Sequence, residues 1–225
     1  PDVISMDIRL PGMDGLEATR RIMSEHPTPI VVIADSVHDS TLSIAMSALK
    51  AGALTVVEKP SGPGARTYEA VAGTIATQLY IMSQVPVIRR RLSTQRPVAN
   101  APARGQPARI NASIVGIAAS TGGPPALASV LGALDPGFPA PILLVQHMGA
   151  PFMEGFASWL ADQTRLRVKL AENREVPVAG TVYVAPGDRH LVLSPGNTLA
   201  LNVDPPLASQ RPAATFLFQS LARVA

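Results

Sequence analysis

Two residues stand where a fold would expose covalent chemistry. In "SIVGIAASTGGPPAL" (113–127) an apolar run breaks into Ser120, Thr121, Gly122 and Gly123, and an apolar helical pattern follows. A serine at such a strand-to-helix turn stands above the sheet edge, near helical N–H groups that favour developing negative charge. The small neighbours Ala118, Ala119, Gly122 and Gly123 leave room for a substrate backbone to approach. A serine hydroxyl needs a base, and "ILLVQHM" sets His147 at the end of the next apolar run. Consecutive strands of a βαβ unit are commonly neighbours, so Ser120 and His147 are expected at one carboxyl edge. A lone histidine is more often structural; the serine on the preceding strand tip is what singles this one out. A phosphate cradle fits less well. Gly116, Ala118, Gly122 and Gly123 miss the G-x-G-x-x-G spacing, the next strand ends in Gln146-His147 instead of an acid, and no Lys-Ser/Thr follows the glycines.

A second constellation lies near the start. Asp7 ends the apolar run "VISMD" and is followed by "PGMDG"; "LTVVEKP" (54–60) delivers Lys59 to what would be the same edge. Ligands of open parallel sheets gather outside the carboxyl ends of the strands. An ammonium beside a carboxylate there would keep the acid ionised and could neutralise a phosphoryl oxygen. Either residue alone reads as ordinary surface charge.

The elements that must position these groups alternate between strand and helix in both halves. The first has strands at 3–7, 29–35 and 54–60, with helices following Asp14, over 39–52 and over about 66–82. Strand–helix alternation argues for a parallel sheet covered by helices. Three strands are few for an independent domain of this type. Residues 83–110 are rich in Pro, Ala, Arg, Gln and Ser without periodicity, which reads as a solvated linker. Alternation resumes with strands at 113–119 and 141–147 and helices at 124–134 and 151–164. Phe152, Phe156, Trp159 and Leu160 lie on the buried face of the latter. Two further strands follow, then a hairpin around Pro195-Gly196-Asn197 and a final helix from Pro212. The expected organisation is 1–82, a linker 83–110, and 111–225.

Bulk properties exclude several classes. The 225 residues are 47% hydrophobic and 16% charged, as a globular chain with real cores would be. A formal charge of +3 is too small to argue for nucleic acid, and the arginines at 89–91, 96, 104 and 109 fall in the linker. No cysteine is present, so disulfides and thiolate metal sites are excluded, in keeping with a reducing, cytoplasmic setting. Apolar runs are strand-sized, so no membrane insertion is expected. The chain opens on Pro1 instead of Met, so its natural start is expected upstream.

"PDVISMDIRLPGMDGLEA" and "ALKAGALTVVEKP" together resemble the receiver domain of two-component response regulators. The resemblance implies that Asp7 accepts a phosphoryl group from a sensor histidine kinase and that Lys59 contacts it. It also implies Mg²⁺ assistance, with Asp7 as one ligand and most others upstream of Pro1. Receivers commonly carry Ser or Thr where this chain has Ala34 before Asp35. "SIVGIAASTGGPPAL", "PAPILLVQHMGAPFMEGFASWL", "GTVYVAPGDRHLVL" and "RPAATFLFQSLA" resemble, in order, the catalytic domain of the chemotaxis methylesterase family, CheB.

The implied fold is an incomplete flavodoxin-like receiver sheet joined by a linker to a Rossmann-like, doubly wound parallel α/β domain. The implied activity is hydrolysis of glutamate methyl esters on methyl-accepting chemoreceptors, releasing methanol, with deamidation of receptor glutamines as a second reaction. By motif match Ser120 is the nucleophile, His147 the general base and Thr121 an active-site neighbour, without a cofactor for the ester chemistry. The family's triad aspartate falls in a Gly-rich segment expected beyond Ala225, so the chain alone is expected to be a weak esterase. Asp188 in "PGDRH" is the nearest substitute by sequence and reads as a loop residue; His190 reads as structural or rim-lining. Family members commonly have His/Cys-Arg-Pro-Ser-Val-Asp where this chain has "QRPAAT" (210–215), so Gln210, Ala213 and Thr215 are departures while Arg211 and Pro212 are retained. Those departures and Ala34 leave one alternative open: a non-catalytic phospho-receiver switch with an esterase-like binding domain.

Overall fold

Ile142–Gln146 and Thr181–Val184 are buried at every position, the pattern of strands covered on both faces, and each lies inside a parallel sheet. The computed structural model describes residues 1–34, 46–60, 68–85, 87, 112–120, 122–208 and 210–224. In the first unit β1 (Ile4–Asp7), β2 (Ile30–Ala34) and β3 (Thr55–Glu58) pair in the order β1-β2-β3. Helix α1 (Gly15–Glu25) and the described part of α2 (46–51) join the cluster containing Met6, Ile30, Val32 and Val56. Helix α3 (Tyr68–Ser83) covers the opposite face, where Met82 meets Val31 and Val57. Alternate residues of β2 thus feed two cores, as the strand period requires.

The turn after β1 is built for close approach. Gly12 takes a left-handed φ of 86°, and the Asp14 side chain caps α1 by accepting the Glu17 N–H at 2.7 Å. A Cβ on Gly15 would collide with the Asp7 carbonyl oxygen, so glycine lets α1 begin directly against the tip of β1. Gly52, with φ of 112°, follows α2 as a left-handed C-terminal stop.

The second unit contains β4 (Val115–Ala119), α4 (Gly123–Gly132), β5 (Ile142–Gln146), a short 3₁₀ turn (Ala150–Phe152) and α5 (Met153–Ala161). Strands β6 (Arg167–Leu170), β7 (Thr181–Val184), β8 (His190–Leu193) and β9 (Leu199–Asn202) follow, then α6 (Ala214–Val224). The parallel sheet runs β4-β5-β7-β6, and β8 and β9 form an antiparallel hairpin. Ile142, Leu144, Val182 and Val184 face α4 and α5, where Phe152, Phe156, Trp159 and Leu160 form the buried side the sequence predicts. Leu143, Val145 and Tyr183 face the other way, toward the hairpin and Leu217 of α6. Both faces are covered, so the sheet is doubly wound. The predicted linker arginines and Asp35 lie outside the described residues.

Candidate active site

Parallel pairing of β4 with β5 puts Ala119 opposite Gln146, and the His147 N–H continues the ladder by donating to the Ala119 carbonyl at 2.9 Å. The next residue of β4 is Ser120, which is exposed at the strand tip. Ser120 and His147 are therefore delivered by neighbouring strands to one carboxyl edge. The Gly123 N–H donates to the Ser120 carbonyl at 2.8 Å, and Gly122 adopts a left-handed φ of 68°. These bonds turn the chain sharply from β4 into α4, whose first turn carries Pro124 and Pro125. Thr121, expected as a neighbour of the site, lies outside the described residues.

His147 is half-buried, and that burial holds its imidazole pKa below the ordinary histidine value. Its Nε2 is buried and has no hydrogen-bond partner among the described residues. A neutral ring with an uncommitted nitrogen is the form a general base requires. Ser120 and His147 line one cavity of about 340 Å³ together with Met148, Asp188, Gln210 and Arg211. The remaining wall comes from the first unit: Thr55–Glu58 of β3, with Val71, Thr74 and Gln78 of α3. The outer edge of β3 thus faces the serine and histidine.

Gln146 is the residue the sequence reading passes over, treating it only as a non-acid at a strand end. It is 1% exposed, and its Nε2 donates to the Ser120 carbonyl at 3.0 Å and the His147 carbonyl at 3.1 Å. The signal was present. A polar residue closing a wholly apolar, wholly buried strand must find partners, and the nearest polar groups belong to the two strand tips. Gly123 also differs from expectation. It is buried, and a Cβ there would strike the Gln146 Oε1, so its missing side chain makes room for this amide instead of for a substrate backbone. At Gly122 a Cβ would meet open space, and the left-handed φ is what favours glycine.

At the other carboxyl edge Asp7 and Lys59 flank β2, with Ala34 at its tip. Lys59 Nζ reaches across to Asp7 Oδ2 at 2.6 Å, and the Arg9 N–H donates to Oδ1 at 3.1 Å. Partial burial pushes the Asp7 carboxyl up, but the Lys59 and Arg9 hydrogen bonds with the Lys59 charge outweigh it and hold the pKa below the ordinary value. Asp7 is thus held as the carboxylate near neutrality. No group of three or more His, Cys, Asp or Glu side chains among the described residues could hold a metal ion. The described residues do not by themselves fit a Mg²⁺ ion.

A response regulator receiver domain profile matches residues 1–68, and a CheB methylesterase profile matches residues 115–225. The chain combines a receiver domain with a CheB methylesterase domain, in that order. It is 51% identical over 229 residues to protein-glutamate methylesterase/protein-glutamine glutaminase 2 of Paramagnetospirillum magneticum, covering 99% of this chain. It is 41% identical over 234 residues to the protein of that name from Nitrosospira multiformis, covering the whole chain. The chain spans 64% of the length of each relative. The Thermotoga maritima CheB methylesterase catalytic domain is 37% identical and aligns with a TM-score of 0.48, covering 51% of this chain and 62% of that one.

Of the departures from the CheB pattern, only Gln210 reaches the cavity. Thr215 is exposed on α6, and Ala213 is buried. Asp188, in a turn with φ of 56°, lines the cavity but makes no hydrogen bond to His147 among the described residues. His190 has a separate role. Fully buried, it accepts the Ala213 N–H on Nδ1 at 3.1 Å, lies 3.4 Å from the Pro205 carbonyl through Nε2, and stacks on Phe216 with ring centres 3.9 Å apart. Those contacts fix the Nε2–H tautomer and anchor both ends of the segment that carries Gln210 and Arg211. Arg211 Nη1 in turn donates to the Val203 and Asp204 carbonyls at 3.3 and 3.4 Å. Replacing His190 with Phe keeps a stacking ring but strands the buried Ala213 N–H. The expected loss is about 1–3 kcal/mol of stability, read as a lowered urea midpoint; an unmoved midpoint would show that the anchor carries no energy.

Proposed function

We propose that the full-length protein hydrolyses glutamate methyl esters on chemoreceptors, with Ser120 as nucleophile and His147 as general base. The observation that supports this most directly is the placement of both residues on adjacent strand tips lining one cavity. The Ser120 oxygen attacks the ester carbonyl carbon as His147 Nε2 takes the hydroxyl proton. Collapse of the tetrahedral species expels methanol, protonated by His147, and leaves an acyl-serine. Water activated by the same imidazole then attacks the acyl carbon, and glutamate leaves with Ser120 restored. Deamidation of a receptor glutamine follows the same steps with ammonia as leaving group. The names of the relatives, which pair methylesterase with glutaminase, support both reactions. A purely non-catalytic module is the weaker reading, because the serine and the uncommitted imidazole are both in place.

Control is proposed to come from Asp7, phosphorylated by a sensor histidine kinase. Receiver domains as a class use Mg²⁺ in this transfer, and Asp7 is the side chain here proposed to contribute to such a site. The Lys59 ammonium would move from carboxylate to phosphoryl oxygen. Lys59 directly follows the Glu58 that ends β3, and β3 lines the cavity, so a change at Asp7 has a short route to the Ser120 edge. No helix among the described residues is long and apolar enough to cross a membrane. A cytoplasmic enzyme acting on the inner ends of receptors is the setting proposed.

Ser120→Ala in the full-length protein is expected to abolish methanol release from methylated receptors, measured by vapour-phase assay; unchanged release would remove Ser120 from the role. The lowered His147 pKa keeps the base neutral to a lower pH than an ordinary imidazole. The rate should therefore hold through neutrality and fall as acidification passes a kcat/KM midpoint below 6.5. A midpoint above 7 would contradict His147 as a half-buried base. Adding an acyl phosphate should raise wild-type methanol release and leave an Asp7→Asn variant unresponsive. Equal response of the two would exclude Asp7 as the switch.

A further inference from the structure

We propose that Gln146 is a positioning residue for the reaction at Ser120: its amide ties the serine's turn and the histidine's backbone into one fixed relation. The inference rests on the ester-hydrolysis reading above, but concerns a residue that takes no part in the covalent steps. Two carbonyl oxygens converge on one side-chain nitrogen, at 3.0 Å from Ser120 and 3.1 Å from His147. Only the NH₂ end of the amide can face two acceptors, so this assignment settles the orientation of the group. The clamp joins the backbones of the two reacting residues directly, one on each strand, and lies one register position from both side chains.

The arrangement does not look like one selected for stability. Gln146 Oε1 is buried without a hydrogen-bond partner among the described residues, which costs stability. A methionine of similar volume would fill the same space without that cost. One feature of the local sequence makes room for the amide: Gly123 lacks the Cβ that would strike Oε1. Ser120 has a second carbonyl partner in the Gly123 N–H, whereas the hydrogen bond from Gln146 is the one that links it to β5. Without the amide the serine turn is still formed but is free to shift against the histidine. Nucleophile and base must be held to a fraction of an ångström, and a displacement of about 1 Å is enough to lower the rate by about 100-fold.

The test uses the full-length protein and two volume-conserving variants. Gln146→Met should lower kcat for methyl-ester hydrolysis by about 10- to 100-fold with KM nearly unchanged. It should slow by a similar factor the labelling of Ser120 by a fluorophosphonate, in which the serine oxygen displaces fluoride and its proton passes to His147. A folded Gln146→Met protein that turns over and labels like the wild type overturns the proposal. Gln146→Glu gives a second reading if the methionine variant does not fold. Its carboxylate offers no donor to the two carbonyls, so kcat should fall by a similar factor. A kcat equal to wild type overturns the clamp. A third readout needs no activity: the Gln146 side-chain amide protons of the unsubstituted protein should exchange slowly with solvent, and fast exchange would contradict the two hydrogen bonds. Protected amide protons and a Ser120 that labels, without methanol release, would locate the failure in the substrate assignment instead.

Discussion

Everything at the candidate active site depends on the parallel pairing of β4 with β5. The register that sets Ala119 beside Gln146 leaves the next residue of each strand at the same edge, one a serine and the other a histidine. A slip of one position would turn the side chains of one strand to the opposite face and separate the pair. What holds the register is the burial of β5 on both sides. Ile142 and Leu144 are committed to the helices of one layer and Leu143 and Val145 to the hairpin layer, so each alternation is specified twice. The proposed reacting pair is thus a by-product of a hydrophobic constraint, and its placement needs no direct contact between the two side chains.

The same logic runs through the first unit, with charge in place of nucleophile and base. Asp7 and Lys59 belong to the outer strands of a three-stranded sheet, two strand spacings apart, or about 10 Å. The four-carbon stem of lysine spans that gap because the intervening tip residue, Ala34, is small. The exposed ion pair is of modest energetic value. Its importance lies in holding Lys59 next to an ionised acid at the end of β3, a strand with one edge in the receiver sheet and the other facing the serine cavity.

Much of this arrangement was legible in the sequence because its signals are periodic. Apolar runs of strand length, Gly52 after α2, and the Phe152, Phe156, Trp159 and Leu160 stripe each reported an element or a buried face directly. Ser120 and His147 were legible because residue type and strand-end position coincided. The non-local features were not. The order β4-β5-β7-β6 leaves no trace in any single segment, since β6 and β7 are two similar short runs. The contribution of β3 to the cavity wall depends on how two units meet. His190 reads from sequence as structural or rim-lining; that it is structural and wholly buried depends on Ala213 and Phe216, more than 20 residues later, closing over it. Gln146 escapes notice for a different reason: a neutral amide at a strand end reads only as the lack of an acid.

The contact between Gly123 and the Gln146 amide has a consequence for how this protein can diversify. A side chain gained at 123 would evict the amide from its niche. An amide lost at 146 would vacate space that a larger residue at 123 could then fill. The two positions are 23 apart in the chain, yet neither is free to drift alone. Change at this corner of the molecule should come in correlated steps, and a lineage that took the first would have abandoned the serine's tether before gaining anything in its place.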